Sequence, residues 1–319
     1  MHSISRRGLV ISAASAAAAF GLDGPLEFIG PAVAQKPDPN LVEKGFTKFK
    51  VGDLEVIQMY DGIWEKAHDP GFIKNASIDD AKAALKAGGL TDEFVPITFT
   101  VTAVRTKGQV ILFDAGTGNQ VFPKAGALAT KNMQAAGLDP AQIKTIVITH
   151  FHPDHITGLM AKDTNAPIFP NAEIHVPAVD YKYWTDPATT GGAAKRIQAV
   201  FPGWKNIKPF EGDKEIVPGV RAIATFGHTP GHTSYQLGSG SKQLIVLGDV
   251  SNIPALFVVH PEWRAAFDTD GQLAETNRRK MFDRVIADKA TVAGYHFGMP
   301  GAGTIKKDGN GYVFVPVKV

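Results

Sequence analysis

Alternation of apolar and polar positions marks strands at several points along this chain. Val51 to Asp61 reads as a hairpin or strand pair. Ile97 to Val104 reads as a strand with Thr at alternate positions, and Val110 to Phe113 as its partner across a Lys107-Gly108 turn. Ser234 to Leu237 and Leu244 to Leu247, separated by a Gly/Ser turn, repeat that hairpin. One hairpin ends in Asp114 and the other in Asp249, a pattern that suggests an internal duplication. Ile146 to Thr149, Val220 to Thr225 and Ala290 to Tyr295 are further apolar runs of strand length. The period turns helical over Ile78 to Gly88, with Ala81, Ala84 and Leu85 on one face and Gly88-Gly89 as the stop. Helices are also predicted over Pro123 to Ala136 and Leu273 to Asp288. Strands alternating with helices predict an α/β fold, its sheets covered by helices. Pro37-Asp38-Pro39-Asn40 is a polar linker, and no later Pro/Gly/Ser stretch divides the chain, so a single domain is expected over 35–319.

Residues 1–34 read as an address. Arg6-Arg7 is a twin-arginine pair, Val10 to Phe20 is a small-residue apolar run, and Ala32-Val33-Ala34 offers a cleavage site. The run is too short for a membrane span, which takes about 20 residues. The expectation is a twin-arginine signal peptide, engagement of the twin-arginine export machinery, and a periplasmic or secreted mature protein without a membrane span.

Composition narrows the chemistry. With no Cys among 319 residues, a disulfide scaffold, a thiolate nucleophile and Cys-held zinc or iron–sulfur sites are excluded. Lys and Arg number 33 against 31 Asp and Glu, without a basic cluster, so a nucleic-acid partner is not expected.

The histidines carry the candidate chemistry. His150-Phe151-His152-Pro153-Asp154-His155 follows the predicted strand Ile146 to Thr149. Residues two apart on a strand face one way, so His150 and His152 can address one ion. Pro153 is expected to stop the strand and begin a turn that swings Asp154 and His155 toward a second ion. Imidazole and carboxylate together suit zinc first, with manganese, iron or cobalt as alternatives. Two divalent ions need more ligands. His228 in Gly227-His228-Thr-Pro-Gly-His232, Asp249 and His296 are the candidates, each where a strand runs out.

This constellation resembles that of the metallo-β-lactamase-fold hydrolases. Within them the likeness is to the methyl parathion hydrolases, carried by Thr149 to His155, Phe226 to Thr233 and the tail Gly309 to Pro316. The resemblance implies an αββα sandwich with two metals in a cleft at one edge of the sheets. By position, His150, His152 and His228 would hold one metal, Asp154, His155 and His296 the other, and Asp249 would bridge them. It also implies a homodimer. A water between two dications loses its proton near neutral pH, and the resulting hydroxide would attack a carbonyl or phosphoryl centre. Asp154 would also manage a proton as the leaving group departs.

Among the remaining residues, His232 is expected to brace the His228 turn, His175 to be a strand residue, and His68 and His260 to lie in loops. Asp114 is read either as a carboxylate that positions ligands or as a turn cap. Phe122 and Trp184 match pocket aromatics of the methyl parathion hydrolases. A third such Phe has no counterpart, because Thr190 to Arg196 reads Thr-Gly-Gly-Ala-Ala-Lys-Arg. A lactone or ester with an apolar tail is therefore the expected substrate, with aryl phosphotriesters as a side activity. The alternatives are a β-lactamase or glyoxalase-type thioesterase on the same fold, and a non-enzymatic periplasmic metal-binding protein.

Overall fold

The computed structural model describes residues 38–239 and 241–319, so the predicted signal segment lies outside the described residues. Two seven-stranded sheets follow one another along the chain. The first runs in spatial order through β1 (Phe46–Val51), β2 (Leu54–Lys66), β3 (Val95–Thr106), β4 (Gln109–Phe113), β5 (Thr145–Val147), β6 (Glu173–Pro177) and β7 (Ile207–Phe210). The second holds β8 (Glu215–Val217), β9 (Val220–Ala224), β10 (Thr233–Ser239), β11 (Lys242–Gly248), β12 (Thr291–Gly294), β13 (Ala302–Asp308) and β14 (Gly311–Pro316). Each sheet contains an antiparallel hairpin, β3–β4 or β10–β11, whose second strand is joined by a parallel neighbour, β5 or β12. The repeat read from the sequence is thus a repeat of topology.

Period-2 burial builds the layers. Ile111 and Phe113 of β4 pack with Leu244 and Val246 of β11 in a core between the sheets. The intervening Leu112 faces outward into a cluster with Leu85 and Ile197, while Ile245 and Leu247 face Met281, Phe282 and Val285. Helices α1 (Pro39–Lys44), α2 (Ile78–Ala87), α3 (Pro153–Ile156), α4 (Ala178–Thr185), α5 (Ala194–Val200) and α6 (Gly271–Ala287) accompany the sheets. The side chains of α2, α5 and α6 close the outer layers, giving the expected αββα sandwich. Ser77 caps α2 through a reciprocal pair with Asp80, and Gly88 ends it.

Several local expectations are corrected. The first hairpin extends over Phe46 to Lys66, because β1 begins five residues before Val51 and β2 continues past Asp61. The helix expected over Pro123 to Ala136 contracts to a π turn at Leu128–Asn132 running into Met133–Ala135. The buried Asp61 accounts for this: its carbonyl takes the Gly126 N–H, and its carboxylate takes the amides of Thr117 and Leu128. Those bonds hold the segment's start in a loop. The strand expected to end at Thr149 stops at Val147, and Pro153 is the first residue of a one-turn helix rather than of a turn. Among the described residues, no helix is long and apolar enough to cross a membrane.

Candidate metal centre

All seven residues expected around the metals converge at one edge of the sandwich. Candidate ligand atoms of His150, His152, His228 and Asp249 lie within 4.8 Å of one another, as do those of Asp154, His155 and His296. Asp249 reaches both groups: Oδ2 is 3.3 Å from His228 Nε2 and 3.0 Å from His296 Nε2, and Oδ1 is 3.3 Å from His155 Nε2. Asp154 Oδ2 lies 3.5 Å from Nε2 of both His155 and His296.

The rings are aimed by their far nitrogens. Nδ1 of His155 meets Asp114 at 2.8 Å, Nδ1 of His228 meets Asp268 at 2.8 Å, and Nδ1 of His296 meets the Thr98 carbonyl at 2.8 Å. These oxygens only accept, so Nδ1 carries a hydrogen, and each ring, once its Nε2 is deprotonated, turns that lone pair to the centre. His150 Nδ1 meets the Thr149 hydroxyl at 3.0 Å, and that hydroxyl donates to Asp114 at 2.9 Å. His152 is the exception: its Nδ1 faces inward, 2.9 Å from His228 Nε2.

Two glycine-dependent contacts lock the loops. Asp180 accepts the Phe151 amide at 2.7 Å and the Gly231 amide at 3.0 Å, tying the first histidine loop to the second. A Cβ on Gly231 would sit 2.2 Å from the Asp180 nitrogen, so only glycine permits that approach. Gly248 takes φ 58°, and a Cβ there would lie 2.7 Å from His232 Nε2. His232 Nε2 accepts the Asp249 amide at 2.8 Å, and its Nδ1 meets Thr225 Oγ1 at 2.8 Å. Burial and the neighbouring His228 push His232 down to about 3, which keeps it a neutral acceptor. It braces the His228 turn as expected.

Electrostatics divide the centre. Burial and adjacent imidazoles hold His150 and His152 well below the ordinary histidine range. Burial also opposes charge on His228, yet the carboxylates of Asp249 and Asp268 outweigh it and hold the ring at about 9. His155 is likewise raised against burial by Asp249, Asp154 and Asp114. Burial works to raise Asp249, but His296 and His155 keep it well below the usual carboxylate range. Three atoms of the centre are buried without any hydrogen-bond partner: His150 Nε2, His155 Nε2 and Asp249 Oδ1. Orphaned lone pairs converging in one place, on nitrogen and carboxylate donors, fit two divalent cations.

A cavity of about 260 Å³ opens from the centre. Phe122 lines it, in a stack between Trp64 (ring centroids 4.6 Å) and Phe99 (5.2 Å). Trp184 is not among its lining residues. It is 8% exposed, belongs to the outer core cluster, and sets its ring edge-on to His152 at 5.7 Å. The reason is local: α4 turns Trp184 inward with Asp180, so it buttresses a histidine rather than facing a ligand. His175 lies on β6, His68 meets the Asp92 carbonyl, and His260 stacks on Trp263, all apart from the centre. Sequence reasoning missed Asp268, the Thr98 carbonyl, Asp180, Trp64 and Phe267, none of which sits in a recurring motif.

The sequence profile of the metallo-beta-lactamase superfamily matches residues 100–296. The chain belongs to the metallo-beta-lactamase superfamily. An N-acyl homoserine lactonase from a Bacillus sp. is 33% identical over 149 residues, 46% of this chain and 54% of the relative. The chain thus spans about half the length of the curated relatives it matches. Among solved structures, AidC, a dizinc quorum-quenching lactonase in complex with a product, is 26% identical with a TM-score of 0.76, over 86% of this chain and 98% of that one. The hydrolase AbOPH, at 24% identity and a TM-score of 0.78 over the same shares, shows the fold alone. Kinship and the histidine–aspartate cluster together support a metal-dependent hydrolase.

Proposed function

We propose that this protein is a dinuclear-metal hydrolase acting on lactones or esters with an apolar tail, with aryl phosphotriesters as poorer substrates. The observation that carries it is the shared carboxylate of Asp249 between two preformed histidine groups at the base of an aromatic cavity. His150, His152 and His228 would hold one ion, Asp154, His155 and His296 the other, with Asp249 common to both. Two zinc or similar ions there would polarise the substrate oxygen and activate a water. The residues of the chain do the rest. Trp64, Phe99 and Phe122 bury the apolar tail, the Nδ1 tethers fix the rings, and Asp154, which lines the cavity, holds a proton for the leaving oxygen. The lactonase reading takes support from the Bacillus relative and AidC. The lack of an aromatic residue from Thr190 to Arg196 disfavours efficient phosphotriester turnover.

The deciding experiment compares kcat/KM for a long-chain N-acyl homoserine lactone and methyl parathion on metal-loaded protein. Preference for the lactone is expected. Preference for the triester would reverse the substrate order, and no turnover of any ester, with both metals bound, would favour a metal-binding protein without catalysis. We also propose twin-arginine export through Arg6-Arg7, in which case replacing both with Lys keeps the protein in the cytoplasmic fraction; unchanged export would refute it.

A further inference from the structure

Of the described residues lining the cavity, five belong to the seven-residue metal centre and the others are apolar or aromatic, with one exception, Asn252. The residue is 9% exposed, and its Oδ1 is buried without a hydrogen-bond partner. Among the described residues nothing bonds its Nδ2 either; the Ser251 hydroxyl donates to its backbone carbonyl, not to the carboxamide.

Position makes this idleness informative. Asn252 precedes the helical turn Ile253–Val258, the place where an Asn side chain ordinarily caps free amides. Here it makes no capping bond, and Pro254 removes one of the amides it could have taken. A carboxamide that neither caps nor pairs, buried three residues from Asp249, carries an uncompensated desolvation cost unless something else meets it. Asn252 lines the cavity, so a ligand bound there is placed beside the carboxamide.

The geometry points to Asn252 as a specificity-determining residue that recognises a secondary amide carried by the substrate beside the carbonyl to be hydrolysed. A carboxamide oxygen accepts, and the N–H of a secondary amide is a donor that meets it. A lone ester tail offers no donor, and a phosphotriester offers none either. Binding a substrate without the amide leaves Asn252 buried and unpaired, which is how such sites discriminate. The inference rests on the lactonase reading above and adds to it what distinguishes an N-acylated lactone from a plain alkyl lactone.

The test uses zinc-loaded full-length protein and three probes: N-octanoyl homoserine lactone, its N-methyl derivative, and an alkyl γ-lactone of matched length. N-methylation removes the donor that Oδ1 would accept. In the wild type it should lower kcat/KM by about tenfold or more. In Asn252→Leu, with metal content verified, the ratio between the N–H and N-methyl substrates should collapse toward one. Asn252→Ser serves if the leucine variant does not fold. An equal rate on both N-acyl probes in the wild type overturns the assignment, as does a variant that keeps the full ratio. Turnover of the alkyl lactone alone would overturn it while leaving lactone hydrolysis standing. No turnover of any probe would remove the lactonase reading and this inference together.

Discussion

Asp114 Oδ2 accepts the Nδ1 hydrogen of His155 at 2.8 Å and, at 2.9 Å, the hydroxyl of Thr149, which in turn holds His150. One carboxylate therefore aims a ligand in each of the two histidine groups. It sits at the end of β4 in the left-handed region, φ 61°, anchored by the Thr149 amide.

Asp114→Asn should weaken metal binding at both positions by about 10- to 100-fold. Thr149→Val should loosen His150 alone. Stepwise chelation followed by metal analysis distinguishes them: equal losses at both positions in the two variants would contradict the shared tether.

Metal uptake should release protons. His228 holds its proton up to about 9 in the metal-free centre, so at neutral pH a cation must displace it. Apparent affinity should climb as pH rises toward about 9. Calorimetry in buffers of different ionisation enthalpy counts the protons. The sign for folding is opposite. In the metal-free protein this raised pKa contributes stability that is complete below 6.5 and lost as pH rises through about 9, readable by denaturation of chelated protein.

Asp268 should matter more than its position in a loop suggests. Its Oδ1 holds His228 at 2.8 Å, and its Oδ2 lies 3.6 Å from the buried guanidinium of Arg278. Arg278 also donates to the carbonyls of Val250, Pro261 and Trp263. Asp268→Ala strands that cation and should cost roughly 3 kcal/mol of stability besides weakening metal binding. An unchanged melting temperature in the chelated protein would refute the coupling.

The aromatic stack should read chain length. Fully burying one methylene is worth about 0.8 kcal/mol, so kcat/KM should rise up to about fourfold per added CH₂ until the cavity fills. Phe122→Ala, which opens the stack between Trp64 and Phe99, should flatten that slope and lower kcat/KM for long tails by about tenfold. A parallel slope in the variant would place the tail elsewhere.

What the sequence made legible was local. Period-2 alternation in β3, β4, β10 and β11 exposes both hairpins, and the histidine motif follows β5 closely enough to name its members. What stayed hidden depends on contacts made across the fold. Asp61 breaks the expected helix after Pro123 from 67 residues away in sequence, counted to Leu128. The oxygens that aim the rings come from a backbone carbonyl at Thr98 and a carboxylate at Asp268, and neither has a periodic or motif signature. Neither Trp184 nor Phe122 carries a sequence signal for its role; only the direction in which α4 packs separates a buttress from a wall.

The wall of the cavity and the scaffolding of the histidines are carried by largely separate residues, and the separation bears on how the substrate range of such a protein can diverge. Trp64 and Phe122 touch no ring of the metal centre, so successive replacements there can reshape the cavity while the ions stay in place. Phe99 and Phe267 are different. Phe99 packs on His296 at 5.5 Å, and Phe267 is the chain neighbour of Asp268. Adaptation to new substrates should therefore accumulate first on the Trp64–Phe122 side, while descendants altered at Phe99 or Phe267 would carry compensating changes near the histidines.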